Sequence, residues 1–200
     1  KMKAEGIALR ENKNYKKGSE LNSLIDAQEK MTSGFIMVYS DILIEDHILT
    51  KLITCQEDIV LVADNTMQYH APEINRVQDL IISKNKHQLT RRKISFVCEN
   101  IISKIGSKLN SETATHEFIG LAKLTKTGSE QFLQTYEDCA KNYQGKFQEA
   151  NDISRLKFTD LIQEMIDRGY AIHFLEIHKG WLEIHSKEDI ELANHFLSNS

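Results

Sequence analysis

No apolar run in this 200-residue chain reaches the roughly 18 residues that a membrane span needs, and the sequence therefore carries no transmembrane helix signal. Excess positive charge is also lacking. The 25 Lys and Arg residues against 29 Asp and Glu leave a formal charge of -4, which removes the electrostatic reason for non-specific nucleic-acid binding. Any nucleotide partner should be small. The 3 cysteines, Cys55, Cys98 and Cys139, lie far apart with no C-x-x-C pair, a usage that fits reduced thiols in a cytoplasm better than a disulfide framework. The opening Lys-Met-Lys-Ala-Glu-Gly has no apolar h-region, so no secretory signal is read there. Internal repeats, low-complexity segments and a glycine-rich phosphate cradle are all absent from the sequence.

What is present reads as one globular domain, 1–200. A chain of this length buries roughly two thirds of the surface its unfolded form exposes, and 40% hydrophobic with 27% charged residues is ordinary for a soluble protein. Helical and strand patterns alternate. The spacing predicts a helix over Ser19 to Met31, a strand over Phe35 to Tyr39, a short helix over Asp46 to Ile53, and a strand buried on both faces over Asp58 to Ala63. These last three form a strand, helix, strand unit. From Asp64 to Thr115 the pattern weakens to short β candidates, Leu80 to Ser83 and Lys93 to Val97, separated by the basic tract Lys84 to Lys93.

Strand character returns at Phe118 to Leu124, followed by a helix over Thr127 to Tyr143 with Glu130 placed for a capping box. Phe158, Leu161, Ile162, Met165 and Ile166 form a helical stripe that ends before Gly169. Strands Ala171 to Ile177 and Trp181 to Ile184, joined at Lys179-Gly180, precede a helix capped by Ser186. The sum is an α/β sandwich with a mostly parallel sheet.

In such sheets ligands bind beyond the carboxyl ends of the strands, where Asp41 follows Phe35-Ile-Met-Val-Tyr-Ser. A cap on the turn toward Asp46 explains Asp41 equally well. Glu183 and His185, two apart on a strand, share a face, which is either a solvated face or half of a site. Mg²⁺ takes one or two protein carboxylates and completes its shell with water and substrate phosphates; Asp41 and Glu183 would suffice. The basic tract reads as a solvated hairpin tip, and His116, His173 and His178 as structural.

The order Asn14-Tyr15…Gly18…Ser23-Leu24, Tyr39-Ser-Asp41-Ile-Leu, Glu117-Phe-Ile-Gly120 and Gly180-Trp-Leu-Glu183-Ile-His-Ser-Lys-Glu-Asp189 resembles the nucleotidyltransferases of GT-A type. Within them it is most similar to the phosphocholine and 2-aminoethylphosphonate cytidylyltransferases, including versions fused to phosphoenolpyruvate mutase.

The resemblance implies a three-layer sandwich with a mixed, mostly parallel sheet, its amino-terminal part lacking, and an inserted hairpin and loop region over 64–116. It implies Mg²⁺-dependent cytidylyl transfer from CTP to a small phosphonate or phosphorylated alcohol, with pyrophosphate released. Asp41 and Glu183 are the implied metal and catalytic carboxylates. His185 stands where the family has a second metal aspartate, and imidazole is a poorer ligand for a hard cation. Gly18 and Ser23 match the segment that approaches the nucleotide. Glu117 and Gly120 match the acceptor border, though a buried strand edge explains Gly120 equally well, and Trp181 would line the acceptor site or pack in the core.

The family's glycine-rich loop with its arginine and lysine has no counterpart in the sequence, so the chain is expected to be an inactive fragment with an exposed sheet edge. Pairing of that edge in a homodimer or with a partner, and an adjoining mutase domain, follow as expectations. A non-catalytic nucleotide- or partner-binding domain of the same fold is the alternative, as are phosphocholine or sugar-phosphate acceptors. A third possibility is a generic sandwich with accidental motif matches, which a structure placing Asp41 far from Glu183 would establish.

Overall fold

The computed structural model describes residues 7–12, 16, 18–69, 77–84 and 100–198. The expectations for Asn14, Tyr15, most of the basic tract, the strand Lys93 to Val97 and Cys98 fall outside these residues. In chain order the elements are α1 (Glu20–Ile25), β1 (Phe35–Val38), β2 (Ile42–Ile44), α2 (Asp46–Thr54), β3 (Ile59–Asp64), β4 (Leu80–Ser83), β5 (Asn100–Gly106) and β6 (His116–Leu124). They continue with α3 (Lys126–Asn142), α4 (Phe158–Asp167), β7 (His173–Ile177), β8 (Trp181–Glu183) and α5 (Lys187–Ser198). No helix among the described residues is long and apolar enough to cross a membrane.

Six strands form one mixed sheet in the order β1-β6-β3-β7-β5-β4, and β2 pairs with β8 in a separate two-stranded sheet. The expectation of mostly parallel pairing is corrected. Among the described strands only β3 and β7 are parallel neighbours; β1–β6, β3–β6, β4–β5, β4–β6 and β5–β7 are antiparallel. β1, β3, β7 and β4 do point one way, but β6 runs against them between β1 and β3, and β5 between β7 and β4. Local periodicity cannot show that a strand 50 or so residues downstream will separate the two ends of a strand–helix–strand unit, because pairing is decided by distant sequence. The β4–β5 pair within 64–116 is antiparallel, as a hairpin region should be, yet it belongs to the main sheet: β4 also pairs with β6 and β5 with β7.

β3 is buried along its whole length, as its continuous apolar run predicts. Its side chains alternate between two cores. Ile59, Leu61 and Ala63 pack with Leu21, Phe132, Phe158, Leu161 and Met165 on the side of α1, α3 and α4. Val60 and Val62 pack with Ile48 and Leu52 of α2 and with Ile119, Leu121 and Ile177. Each such Ile, Leu or Val side chain contributes about 1.5–3 kcal/mol of burial, so β3 ties both cores to the sheet.

The helices end where their caps dictate. Thr125, rather than Thr127, caps α3: its Oγ1 accepts from the Gly128 amide at 3.2 Å. α4 buries Phe158, Leu161, Ile162 and Met165, and closes with Gly169 at φ +90°. There the Gly169 and Tyr170 amides donate back to the Ile166 and Met165 carbonyls, the paired bonds of a Schellman stop. Ser186 Oγ accepts from the Asp189 amide, and Asp189 Oδ2 accepts from the Ser186 amide, so the predicted cap of α5 is reciprocal.

The single helix expected over Ser19 to Met31 is instead α1 followed by a 3₁₀ turn at Gln28–Lys30. A straight helix would carry Met31 about 80° around the axis from Leu21; the break lets both reach the interior, where each is almost fully buried. β7 and β8 follow one another through Lys179-Gly180 but join different sheets.

Cys55 is disulfide-bonded, which corrects the expectation of reduced thiols at that position; spacing along the chain does not show which Cα atoms come within bridging distance. Cys139 is free and buried. The structural expectation for His116 holds: it is buried, with Nε2 2.8 Å from Glu176 Oε2 and its ring against Phe174.

Candidate active site

The two ends of the chain meet through the small sheet. β2 starts directly after Asp41, and its antiparallel register sets Ile42 opposite Glu183 and Ile44 opposite Trp181. The Ile184 amide donates to the Asp41 carbonyl at 2.7 Å. Asp41, Glu183 and His185 thereby offer ligand atoms that all lie within 4.8 Å of one another. The wide separation of Asp41 from Glu183 that would have established accidental motif matches is therefore not found. His185 Nε2 is 2.9 Å from Glu183 Oε1, and its amide donates to Asp189 Oδ2 at 2.9 Å, so the start of α5 fixes the backbone on which the imidazole sits. The His185 and Ser186 bonds hold the Asp189 carboxyl below its usual range.

Two carboxylates and an imidazole form a donor set that fits a divalent cation, with the carboxylates suited to a hard ion such as Mg²⁺ and the imidazole to a softer one.

Asp41 and Glu183 also line a cavity of about 630 Å³, within the range of small-ligand sites. Its other walls are Glu20, Leu21, Ser23 and Leu24 from α1, Met37 to Ser40 from β1 and its end, Asp79 before β4, and Lys157 with Phe158 at the start of α4. Of the residues singled out in the sequence, this brings together Ser23, Asp41 and Glu183, with His185 at the metal-competent corner. Ser23 Oγ accepts from Asn12 Nδ2 at 2.8 Å.

Gly18, Glu117, Gly120 and Trp181 are not in the wall. Gly18 lies before α1, where an added Cβ would meet the Asn22 side chain at 3.0 Å. Glu117 is buried in β6, and its Oε2 accepts from Gln78 Nε2 at 2.8 Å. Trp181 Nε1 donates to Asp64 Oδ2 at 2.7 Å, while its ring packs with the core on the α2 side. Gly120, at φ +80°, acts one step back: a Cβ there would sit 2.4 Å from the Tyr39 ring. Its carbonyl accepts from the Tyr39 amide at 2.9 Å. Glycine at this position lets the Tyr39 ring approach β6 closely while Tyr39 lines the cavity.

Sequence reasoning missed Tyr39, Glu20, Asp79 and Lys157. Tyr39 immediately follows β1, and its ring meets Phe118 edge-on at 6.0 Å. Burial raises its hydroxyl pKa above the usual value, and the charges of Asp79, Glu20, Asp41 and Glu183 add to the effect. Glu20 Oε1 accepts from the Phe158 amide at 3.2 Å, which ties α1 to the first turn of α4. Burial pushes the Asp79 carboxyl up to about 6; Lys157 opposes the rise, and Glu20, Glu149 and Asp160 add to it. The only available signal for Tyr39 was its place two residues before Asp41; Asp79 and Lys157 gave none, because each stands alone in its segment.

Neither a family model nor a curated protein sequence matches the chain. Solved structures do. The chain is similar to the inositol-1-phosphate CTP transferase from T. maritima, with a TM-score of 0.63 and 16% identity over 93% of this chain and 63% of that one. It is also similar to the CTP:phosphocholine cytidylyltransferase from Streptococcus pneumoniae, with a TM-score of 0.58 and 11% identity over 93% of this chain and 67% of that one. A UDP-glucose pyrophosphorylase complexed with UDP-glucose gives a TM-score of 0.59 and 15% identity over 92% of this chain and 64% of that one. At these identities the likeness establishes a nucleotidyltransferase-like α/β fold. The chain spans 63% of the length of the first of these structures.

Proposed function

We propose that this domain carries out nucleotidyl transfer, from CTP to a small phosphonate or phosphorylated alcohol such as 2-aminoethylphosphonate, with release of pyrophosphate. The observation that carries the proposal is the convergence of Asp41 and Glu183 at the wall of a small-ligand cavity in a fold shared with CTP transferases. An oxygen of the acceptor attacks the α-phosphorus of the nucleotide and the bond to pyrophosphate breaks. Asp41 and Glu183 would hold Mg²⁺, with His185 as the third donor; the ion, when bound, neutralises charge on the phosphates.

The chain's own contribution is positioning. Ser23 borders the nucleotide, Gly120 seats Tyr39 in the wall, and Lys157, the one basic residue among those lining the cavity, draws an anionic group inward. The roles expected for Gly18, Glu117 and Trp181 are then indirect, through the backbone before α1, the β6 end and the β8 anchor.

The proposal extends to a three-layer arrangement of helices on both sides of the sheet, supported by the two cores that flank β3. A phosphonate setting with an adjoining phosphoenolpyruvate mutase domain rests on the resemblance alone. β1 forms an edge of the sheet and exposes Ile36 and Val38, which supports pairing with further chain, in a homodimer or otherwise. The cytoplasmic setting stands as a proposal against which the Cys55 disulfide weighs.

The contact between His185 and Glu183 favours a second reading, a domain that binds nucleotide or a partner without catalysis, since it occupies a carboxylate that would otherwise face a cation. Pyrophosphate release from CTP with 2-aminoethylphosphonate or phosphocholine, measured on the full-length gene product beside this chain, separates the two. Mg²⁺-dependent turnover abolished by Asp41→Ala supports transfer. Silence with every nucleotide and acceptor, together with retained nucleotide binding, establishes the second reading.

A further inference from the structure

The cavity is strongly acidic on its walls, and one of its carboxylates is unmet. Glu20, Asp41, Asp79 and Glu183 face Lys157 alone. Glu20 is engaged with the Phe158 amide and Glu183 with His185, and Asp41 lies in the metal-competent corner. Asp79 differs from all three. Its Oδ1 is shut from solvent without a hydrogen-bond partner, and Lys157, whose charge reaches it, makes no ion pair with it.

A buried carboxylate oxygen without a donor costs free energy that a ligand can recover. The terminal torsion of Asp is soft, so the carboxylate can turn toward an incoming group at little cost. We propose that Asp79 is a specificity-determining residue that accepts a hydrogen bond from a primary ammonium on the acceptor, while Lys157 meets the acceptor's anionic end. The inference rests on the nucleotidyl-transfer reading and names the substrate class for it: a small zwitterion carrying N–H donors.

The chemistry selects against the near alternatives. A neutral hydroxyl could donate to Asp79 but would leave the acidic wall uncompensated. A quaternary ammonium would supply charge with no donor for the orphaned oxygen, and so forgoes the charge-assisted bond. Tyr39 and Phe158 belong to the apolar lining of the same wall and fit the short carbon chain between the two ends of such a molecule.

The test is calorimetric titration of the full-length gene product, first with the uncleavable α,β-methylene analogue of CTP and Mg²⁺ and then with three probes: 2-aminoethylphosphonate, ethylphosphonate and the N,N,N-trimethyl derivative of 2-aminoethylphosphonate. The expected result is at least tenfold tighter binding of the primary amine than of either other probe. Asp79→Asn should collapse that preference below threefold, whereas Lys157→Gln should weaken all three probes alike. Equal binding of the three probes by the unaltered protein overturns the inference, as does a preference that survives Asp79→Asn. The unaltered protein's probe series decides the matter alone if Asp79→Asn does not fold. If the nucleotide analogue binds and the amine preference is absent, this inference fails while the nucleotidyl-transfer reading is left to the turnover assay; if neither the analogue nor any probe binds, both fall.

Discussion

Asp41 and Asp64 occupy the same grammatical position, each at the carboxyl end of an apolar strand, β1 and β3, pointing the same way in the sheet. Their surroundings make them opposites. Asp64 is only 4% exposed and accepts from Trp181 Nε1, the Thr66 amide and hydroxyl, and the Lys179 amide. Burial alone would raise its pKa, but those bonds together outweigh burial and hold the carboxyl below its usual range. Asp41 is half-buried, faces a cavity, and lies beside Glu183 and His185. A carboxylate satisfied by its own chain staples the loop that carries β8; one left facing a cavity can hold a ligand. Lys179 takes φ +65° at that staple, a backbone state uncommon outside glycine.

Substitution by alanine separates the two most sharply. Asp64→Ala strands an indole N–H, a hydroxyl and two amides, and loss of a buried multiple acceptor is expected to lower stability by about 3 kcal/mol. Asp41→Ala removes no bond that the structure shows for its side chain, and a change of this kind stays within about 0.5 kcal/mol. Urea denaturation of both variants checks this. Equal losses would mean that Asp41 is structural as well, and the contrast would fail.

Much of the architecture was legible because it is local. The unbroken run Ile59-Val-Leu-Val-Ala63 announces a strand buried on both faces, the stripe from Phe158 to Met165 announces α4, and Ser186 announces the cap of α5. Sheet order was not legible, since the insertion of β6 between β1 and β3 depends on contacts across distant sequence. The same divide runs through the site. Asp41 and Glu183 could be read because each ends or sits in a recognisable strand, and their meeting follows from the β2–β8 register. Asp79 and Lys157 could not, because only the folded chain sets them in one wall, and Trp181, which sequence placed near the acceptor or in the core, proves to serve Asp64.

Gly120 tests how the cavity wall is built on the Asp41 side. Its φ of +80° and the 2.4 Å approach of a would-be Cβ to the Tyr39 ring combine backbone strain with a clash. Gly120→Ala is expected to cost about 2 kcal/mol and to displace Tyr39. Gly145, also at positive φ but with nothing within 4 Å of a Cβ, supplies the control: Gly145→Ala carries the backbone cost without the clash. Thermal melts should rank the Gly120 variant below the Gly145 variant, and tyrosine fluorescence should change only in the former. Identical melts would show that the ring yields freely and that Gly120 does not position it.

The remaining expected effect is a slope, and its sign distinguishes a satisfied carboxylate from an unsatisfied one. Asp64 has a folded pKa below its unfolded value, so its contribution is present above about pH 3.9 and is lost as pH falls through the folded pKa. Asp79 is the reverse. With a folded pKa of about 6, the native protein keeps a proton that the unfolded chain has already released, so stability declines as pH rises from about 4 toward 6 and then levels. Asp79→Asn removes that decline. Subtracting the stability curve of the unaltered protein from that of the variant cancels the other titrating groups, provided their surroundings are unchanged. The difference should grow across this window in favour of the variant and stay flat on either side. A flat difference throughout would mean that Asp79 titrates as an ordinary solvated carboxyl. The cavity would then hold no unmet charge to set against the met charge of Asp64.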